Sequence, residues 1–256
     1  MNLNFEKKKI LRTKKNLVSL VNEVNDLDET SITYSGNLKD NFFLIIKSSI
    51  ENALALKSKL PNWILNLEGL SGKKYRYLIN NLIQDFFEPK YLEIGSWLGS
   101  TACSASYLNN LKILCIDNWS ETFKTGLDSK KIFKENINKC IKKSNFRIIE
   151  ENFKEIDYSK IGKFNIYFYD GPHHEKDHFD GVNLVQSCLE KKYILIIDDW
   201  NWLQVRKGTL EALKKEKIEL ISKIEIRTTQ DNSRAIIEGK FSEWHNGYAF
   251  FVIKKI

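Results

Sequence analysis

Two phosphate-binding signatures are missing from this chain of 256 residues. It has no Gly-x-Gly-x-x-Gly and no Gly-Lys-Ser/Thr, which counts against a dinucleotide site and against a P-loop. Its four cysteines, Cys103, Cys115, Cys140 and Cys188, form no Cys-x-x-Cys pair and no metal-ligand spacing. They read as reduced, buried thiols of an intracellular protein. No apolar run approaches the length a bilayer requires; the longest, such as Tyr193 to Ile197, are strand-sized. Met1 to Ile10 carries charge but lacks the apolar core of a signal peptide. These absences set an expectation of a cytoplasmic protein with no membrane partner. Internal repeats and low-complexity linkers are also missing.

What is present is ordinary for a globular chain: 42% hydrophobic and 29% charged residues. The net charge of +7 comes from lysines spread along the chain, a pattern that describes solvated helix faces more than a nucleic-acid surface. From Lys90 onward, short apolar runs alternate with helical stretches. Strands are expected at Tyr91 to Ile94, Lys112 to Ile116, Phe146 to Ile149, Phe164 to Tyr169 and Tyr193 to Ile197. Helices are expected at Thr101 to Asn109, Ser129 to Lys143, Glu175 to Glu190 and Val205 to Lys217. Continuous apolar strands separated by helices imply a parallel sheet covered on both faces. Two more strands, Glu219 to Ile226 and Tyr248 to Ile253, follow the last helix.

Residues 1–88 read as an N-terminal helical cap, and 89–256 as the α/β domain. The cap contains a helix within its first 40 residues, a loop near Ser35-Gly36-Asn37, an amphipathic helix from Asn41 to Leu60 stopped by Pro61, and a helix near Lys74 to Phe87. The Asn41 to Leu60 helix covers either the sheet or a second subunit of a homo-oligomer.

The most informative stretch is Tyr91-Leu92-Glu93-Ile94-Gly95-Ser96-Trp97-Leu98-Gly99-Ser100-Thr101. It reads as strand, glycine-rich turn and helix, with the turn at the carboxyl edge where ligands bind in parallel α/β sheets. Gly95 and Gly99 let backbone approach a ligand closely. Asp117 ends the next strand, where a carboxylate can accept both hydroxyls of a ribose or cap the following loop. Asp170 of Asp170-Gly171-Pro172-His173-His174 and the pair Asp198-Asp199 before Trp200 end the two strands after that. Three carboxylates at neighbouring strand ends repel one another unless a cation neutralises them, and an all-oxygen cluster suits Mg²⁺. They serve equally as turn braces and helix caps.

An acid followed by Gly-x-x-x-Gly resembles the first motif of the class I S-adenosylmethionine (SAM)-dependent methyltransferases, whose last strand inserts antiparallel into a seven-stranded sheet. The combination with a strand ending Asp-Gly-x-His and another ending Asp-Asp-Trp is similar to the metal-dependent O-methyltransferases related to macrocin O-methyltransferase, which modify sugar hydroxyls. The resemblance implies SAM as cofactor, held by Glu93, Gly95, Ser96, Gly99, Ser100, Thr101, Asp117, Asn118, Asn152 and Phe153. It implies Mg²⁺ on Asp170, Asp198 and Asp199, and a small-molecule or glycan hydroxyl as acceptor. Some relatives carry an Asp-x-Asp where Pro172 stands, which leaves the general base open; His173 is the candidate, ahead of its neighbour His174. Trp97, Trp119, Trp200 and Trp202 either stack on a substrate ring or pack as core, and Glu243 to Tyr248 is a candidate lid. Two other readings stand beside this one. A nucleic-acid ribose methyltransferase fits the basic charge, although the Asn/Asp-Pro-Pro-Tyr and Pro-Cys motifs of base methylation are absent. A non-catalytic interaction protein would retain the fold alone.

Overall fold

Strand parity and helix spacing together explain how this chain layers. In the computed structural model, which describes residues 30–121, 126, 128–215 and 217–256, the elements run β1 (Ser31–Gly36), α1 (Asn41–Leu54), α2 (Asn62–Leu65), α3 (Lys73–Asp85), β2 (Lys90–Ile94), α4 (Ser100–Ser106), β3 (Lys112–Ile116), α5 (Ser129–Cys140), β4 (Asn145–Ile149), β5 (Phe164–Tyr169), α6 (Glu175–Asn183), β6 (Leu189–Ile197), α7 (Leu203–Lys215), β7 (Ile218–Arg227) and β8 (Tyr248–Lys255). Successive strand residues point to opposite faces. On one face Tyr91, Ile113, Cys115, Phe168, Ile196 and Phe250 pack under α1, α3 and α4. On the other, Leu92, Leu114, Tyr167, Leu195 and Phe251 pack under α6 and α7.

The sheet order is β1-β7-β8-β6-β5-β2-β3-β4. Strands β2 to β6 pair in parallel, while β8 lies antiparallel between β6 and β7. The chain leaves β2 outward through β3 and β4, then returns to β5 on the other side of β2. That reversal opens a crevice at the carboxyl ends of β2 and β5.

The described residues form eight strands, not seven. The additional strand is β1, in a stretch read as ending in a loop at Ser35-Gly36-Asn37. It pairs antiparallel with the outer edge of β7, from Ser31 opposite Arg227 to Gly36 opposite Ser222. Ile32, Thr33 and Tyr34 suit a strand, but a mostly exposed edge strand of six residues carries no core-facing alternation to announce it. Of the first 40 residues, where a helix is expected, 1–29 lie outside the described residues, and 30–40 hold β1 and no helix. The helix expected to reach Glu190 ends at Asn183 and tightens into a 3₁₀ turn, Leu184–Cys188. Leu189 then already pairs with Phe164.

In α1 the buried residues Phe43, Ile46, Ile50 and Ala53 recur at helical spacing, and the Asp40 carboxylate caps the helix by accepting the Phe42 N–H at 2.9 Å. Burying each large aliphatic there stabilises by roughly 1.5–3 kcal/mol. The helix covers the sheet with this face, while Leu44 and Leu54 remain exposed. All four cysteines are buried and free. Among the described residues no helix is long and apolar enough to cross a membrane.

Candidate active site

The glycine turn after β2 is shaped by close approach. Gly95 has φ +84°, and a Cβ there would lie 1.8 Å from the Asp170 carbonyl oxygen. Only glycine lets the ends of β2 and β5 meet this way. Gly99, at φ +82°, opens α4 with its Cα against the Phe133 ring. Asp117 stitches the turn: its Oδ2 accepts the Ser96 and Trp97 N–H groups, both at 2.8 Å, and its Oδ1 accepts the Trp119 N–H at 2.7 Å. Three of a carboxylate's roughly four acceptor positions are thereby occupied. Asp117 thus acts as a loop brace with one position left, not as a fork free for both hydroxyls of a ribose.

The other residues expected around a cofactor are distributed as follows. Glu93 is fully buried, and its Oε2 accepts the Tyr91 hydroxyl at 2.7 Å. Burial pushes its pKa up to about 8 against the lowering effect of the Ser96 and Tyr91 hydroxyls. Ser96 and Thr101 are buried at the turn, and the Ser96 hydroxyl faces the Glu93 carboxyl. The Ser100 hydroxyl sits 2.9 Å from that of Ser71. Asn118 folds its side chain onto the Ser120 N–H at 3.1 Å, and Asn152 caps a short 3₁₀ turn through the Lys154 N–H at 3.0 Å. The Phe153 ring packs edge-on to Tyr169, 5.6 Å between centroids, within the α6/α7-side core.

The acids gather where strand register puts them. Continuing the pairings past Ile94, Tyr169 and Ile197 aligns Gly95, Asp170, Asp198 and Tyr248 in one row across the sheet. Asp199, next along, takes φ +55°, an uncommon conformation for a residue with a side chain. There its Oδ2 lies 2.9 Å from His173 Nε2, and its Oδ1 accepts the Asn246 side-chain N–H at 2.7 Å. His173 Nε2 is also 3.7 Å from Asp170 Oδ1. Asp170, His173 and Asp199 each present a donor atom within 4.8 Å of the others, an arrangement able to hold a metal ion.

The converging set therefore differs from the expected Asp170, Asp198 and Asp199. Asp198 is buried with its Oδ1 accepting the Asp199 N–H at 2.8 Å. Burial and the charges of Asp170 and Asp199 push its pKa well above the carboxylate range. Asp170 is raised to about 6 by burial, against the pull of His173. For Asp199, burial is outweighed by His173, His245 and Asn246, so it stays ionised. For His173, burial is outweighed by hydrogen bonds and charge from Asp170 and Asp199, which lift it to about 10. With no other cation present, an imidazolium balances the two carboxylates, and a protonated imidazole is no base. His174 is exposed at the start of α6 with no capping bond.

The tryptophans divide. Trp200 is core, donating its indole N–H to Glu225 at 2.8 Å. Trp97 and Trp119 brace the glycine turn, with Trp119 donating to the Trp97 carbonyl at 3.0 Å. Trp202 stands beside the acids: the His173 ring meets it edge-on at 5.0 Å, and the Arg234 guanidinium lies 5.5 Å over its ring.

Residues that a reading of strand ends misses complete the wall. Asn246 ties the segment before β8 to Asp199 and accepts the Ala235 N–H at 2.8 Å. Fully buried Arg76 donates to Ser71 Oγ and to the carbonyls of Ile64, Leu65, Leu67 and Gly69, fixing the loop that seats Ser71 against Ser100. Tyr75 and Tyr248 stack with centroids 3.9 Å apart. Only the position of the polar run Glu243 to Gly247, directly before a strand, signals any of these in advance.

The family model described as a methyltransferase domain matches residues 92–200, from the glycine-turn strand to the Asp198-Asp199-Trp200 turn. This stretch is a methyltransferase domain. Solved structures similar to the chain include cofactor-bound Rv0187 from MTB, at 11% identity, covering 85% of this chain and 92% of that one with a TM-score of 0.50. The O-methyltransferase from Bacillus cereus in complex with SAH is 13% identical over 81% of this chain and 91% of its own, with a TM-score of 0.47. TrmN from Thermus thermophilus is 12% identical over 81% of this chain, with a TM-score of 0.48, and the present chain spans about half (52%) of its length. A search of curated protein sequences gave no match. Identities this low speak to the fold alone: a mixed α/β sheet with helices on both faces, of the class I methyltransferase type. In the methyltransferase domain, the glycine turn and the Asp170-His173-Asp199 set lie at the same edge of that sheet.

Proposed function

We propose that the protein is a SAM-dependent O-methyltransferase that uses Mg²⁺ to bind a hydroxyl of a small molecule or sugar. The observation that carries this reading is the convergence of Asp170, His173 and Asp199 within 4.8 Å beside the glycine turn of a methyltransferase domain. SAM supplies a methyl group on a positively charged sulfur, which an oxygen nucleophile takes in line. The chain's part is positional. Gly95 lets the backbone of the turn close onto the Asp170 carbonyl, which sets the glycine turn beside the acids at one sheet edge. The buried Glu93 carboxyl and Ser96 hydroxyl are polar groups suited to the charged end of SAM.

Two carboxylate oxygens and an imidazole nitrogen make a donor set that fits a divalent cation keeping some sites for water or substrate oxygens. Held there, Mg²⁺ would lower the pKa of a ligated hydroxyl. With a cation there, His173 would give up its proton and serve as a neutral ligand through a bare ring nitrogen, the metal taking over the charge balance with Asp170 and Asp199. Asn246 keeps the Asp199 carboxylate aimed into the crevice, and Trp202 offers an apolar face on which a sugar or aromatic acceptor can rest.

The test is transfer of a labelled methyl group from SAM to a panel of sugars and catechols, with Mg²⁺ or with a chelator, by the wild type and by Asp199→Asn. Transfer that needs Mg²⁺ and disappears in Asp199→Asn is expected. Transfer unaffected by both would remove the metal from the proposal, and failure to bind SAM would remove the rest.

A further inference from the structure

The three donors that meet at the carboxyl edge are not of one kind. Asp170 and Asp199 offer oxygen and His173 offers nitrogen, with all three atoms within 4.8 Å of one another. His173 Nε2 is the shared member, 2.9 Å from Asp199 Oδ2 and 3.7 Å from Asp170 Oδ1. These separations bracket the roughly 3 Å between neighbouring ligand atoms of a six-coordinate ion with bonds of about 2.1 Å. Asp198 is not a member of the set; its Oδ1 accepts the Asp199 N–H at 2.8 Å. An imidazole stands where a third carboxylate was expected. The ring is packed in place, with Trp202 edge-on at 5.0 Å and the buried His178 ring 6.4 Å away and 27° from parallel. Asn246 fixes the Asp199 carboxylate through its 2.7 Å bond, the kind of outer contact that keeps a ligand aimed.

Donor type discriminates among divalent ions. Mg²⁺ is hard, takes oxygen and gives up its waters reluctantly. Imidazole nitrogen suits the first-row transition ions, whose affinity for a given mixed site climbs from Mn²⁺ through Fe²⁺ and Co²⁺. We infer that His173 is a metal-selecting ligand: through its nitrogen the site holds Mn²⁺, and the transition ions after it, more tightly than Mg²⁺. Mg²⁺ can still occupy the two carboxylates, but it gains little from the third donor. The inference rests on the reading of Asp170, His173 and Asp199 as a cation site, and it names the class of ion that site prefers.

The experiment titrates Mn²⁺ into the full chain without SAM, follows the free ion by electron paramagnetic resonance, and repeats the titration with Mg²⁺ as competitor. Wild type is compared with His173→Gln, whose amide oxygen reaches about as far as Nε2 and so exchanges nitrogen for oxygen. Circular dichroism and a thermal melt check the fold of the variant. The wild type is expected to bind Mn²⁺ at least about 10-fold more tightly than Mg²⁺. His173→Gln should weaken Mn²⁺ by about 10-fold or more and Mg²⁺ by less than about 3-fold. Pulsed resonance of bound Mn²⁺ should show coupling to a ligating ¹⁴N nucleus in the wild type and none in the variant. The nitrogen signal is read on the wild type alone, so it decides the matter even if the variant fails to fold. Mn²⁺ bound without nitrogen coupling, Mn²⁺ bound no more tightly than Mg²⁺, or equal losses of both ions in a folded His173→Gln would overturn the inference and leave a cation site. Binding of neither ion by the wild type would instead overturn the cation reading beneath it.

Discussion

The two ends of the same strands are built by different rules. At the amino edge, charges are paired with opposites: Lys90 with Glu190 at 2.9 Å, and Lys192 with Asp40 at 2.6 Å, the latter lysine also lying 4.4 Å over the Phe42 ring. The Asn165 side chain joins both neighbours, accepting the Lys90 N–H and donating to the Glu88 carbonyl. A groove of about 440 Å³ opens there among Phe42, Ile45, Phe86 and Phe87, and no cluster of like charges lines it. At the carboxyl edge, by contrast, Asp170, Asp198 and Asp199 crowd together, and Asp199 holds a left-handed backbone. Unfavourable electrostatics, gathered in one place and held by a rigid sheet, mark the functional edge.

The contrast can be broken, and the largest expected effect comes from Arg76. Its guanidinium is buried and fixes the loop 64–71 behind the glycine turn through four carbonyls and a hydroxyl. Arg76→Met leaves those acceptors buried and unpaired, so urea denaturation should show a loss of about 3–5 kcal/mol. A loss below about 1 kcal/mol would mean that water replaces the guanidinium and that the loop is not clamped.

Glu93→Gln is expected to act in the opposite direction. The folded state raises this carboxyl from 4.5 to about 8, so the native protein holds a proton that the unfolded chain releases. Wild-type stability therefore falls as pH rises from about 4.5 through 8. Removing the ionisation should make the variant more stable than wild type above pH 8, on the order of 2–4 kcal/mol, with the gain gone near pH 4. Parallel pH profiles for the two proteins would show that Glu93 stays ionised in the fold.

The smallest effect belongs to the amino edge. Lys90→Met breaks an ion pair whose side chains are each 35% exposed, and it should cost less than about 1 kcal/mol. A cost equal to that of Arg76→Met would erase the difference between the edges.

Much of this arrangement was legible in the sequence because it is local. An acid, two glycines four residues apart and a small-residue helix lie within a dozen positions, and Asp170 and Asp199 end apolar strands. Less legible was what depends on backbone geometry or on distant segments. Adjacent residues of a strand point to opposite faces, so Asp198 and Asp199 could not share a role; the φ of Asp199 decides which one reaches His173, and no residue type near it reveals that angle. Asp117 looked free for a ligand until its three backbone partners were in view. β1 escaped because an exposed edge strand carries little hydrophobic pattern.

The central claim is that one crevice at the carboxyl edge holds both a methyl donor beside Gly95 and a cation on Asp170, His173 and Asp199. Proton NMR of SAM in the presence of the protein, with paramagnetic Mn²⁺ substituted for Mg²⁺, tests it most directly. Strong broadening of the S-methyl resonance by Mn²⁺ in the wild type, lost in Asp199→Ala while SAM still binds, is the predicted result. SAM that binds with a sharp S-methyl signal at saturating Mn²⁺ would place donor and metal apart and contradict the account.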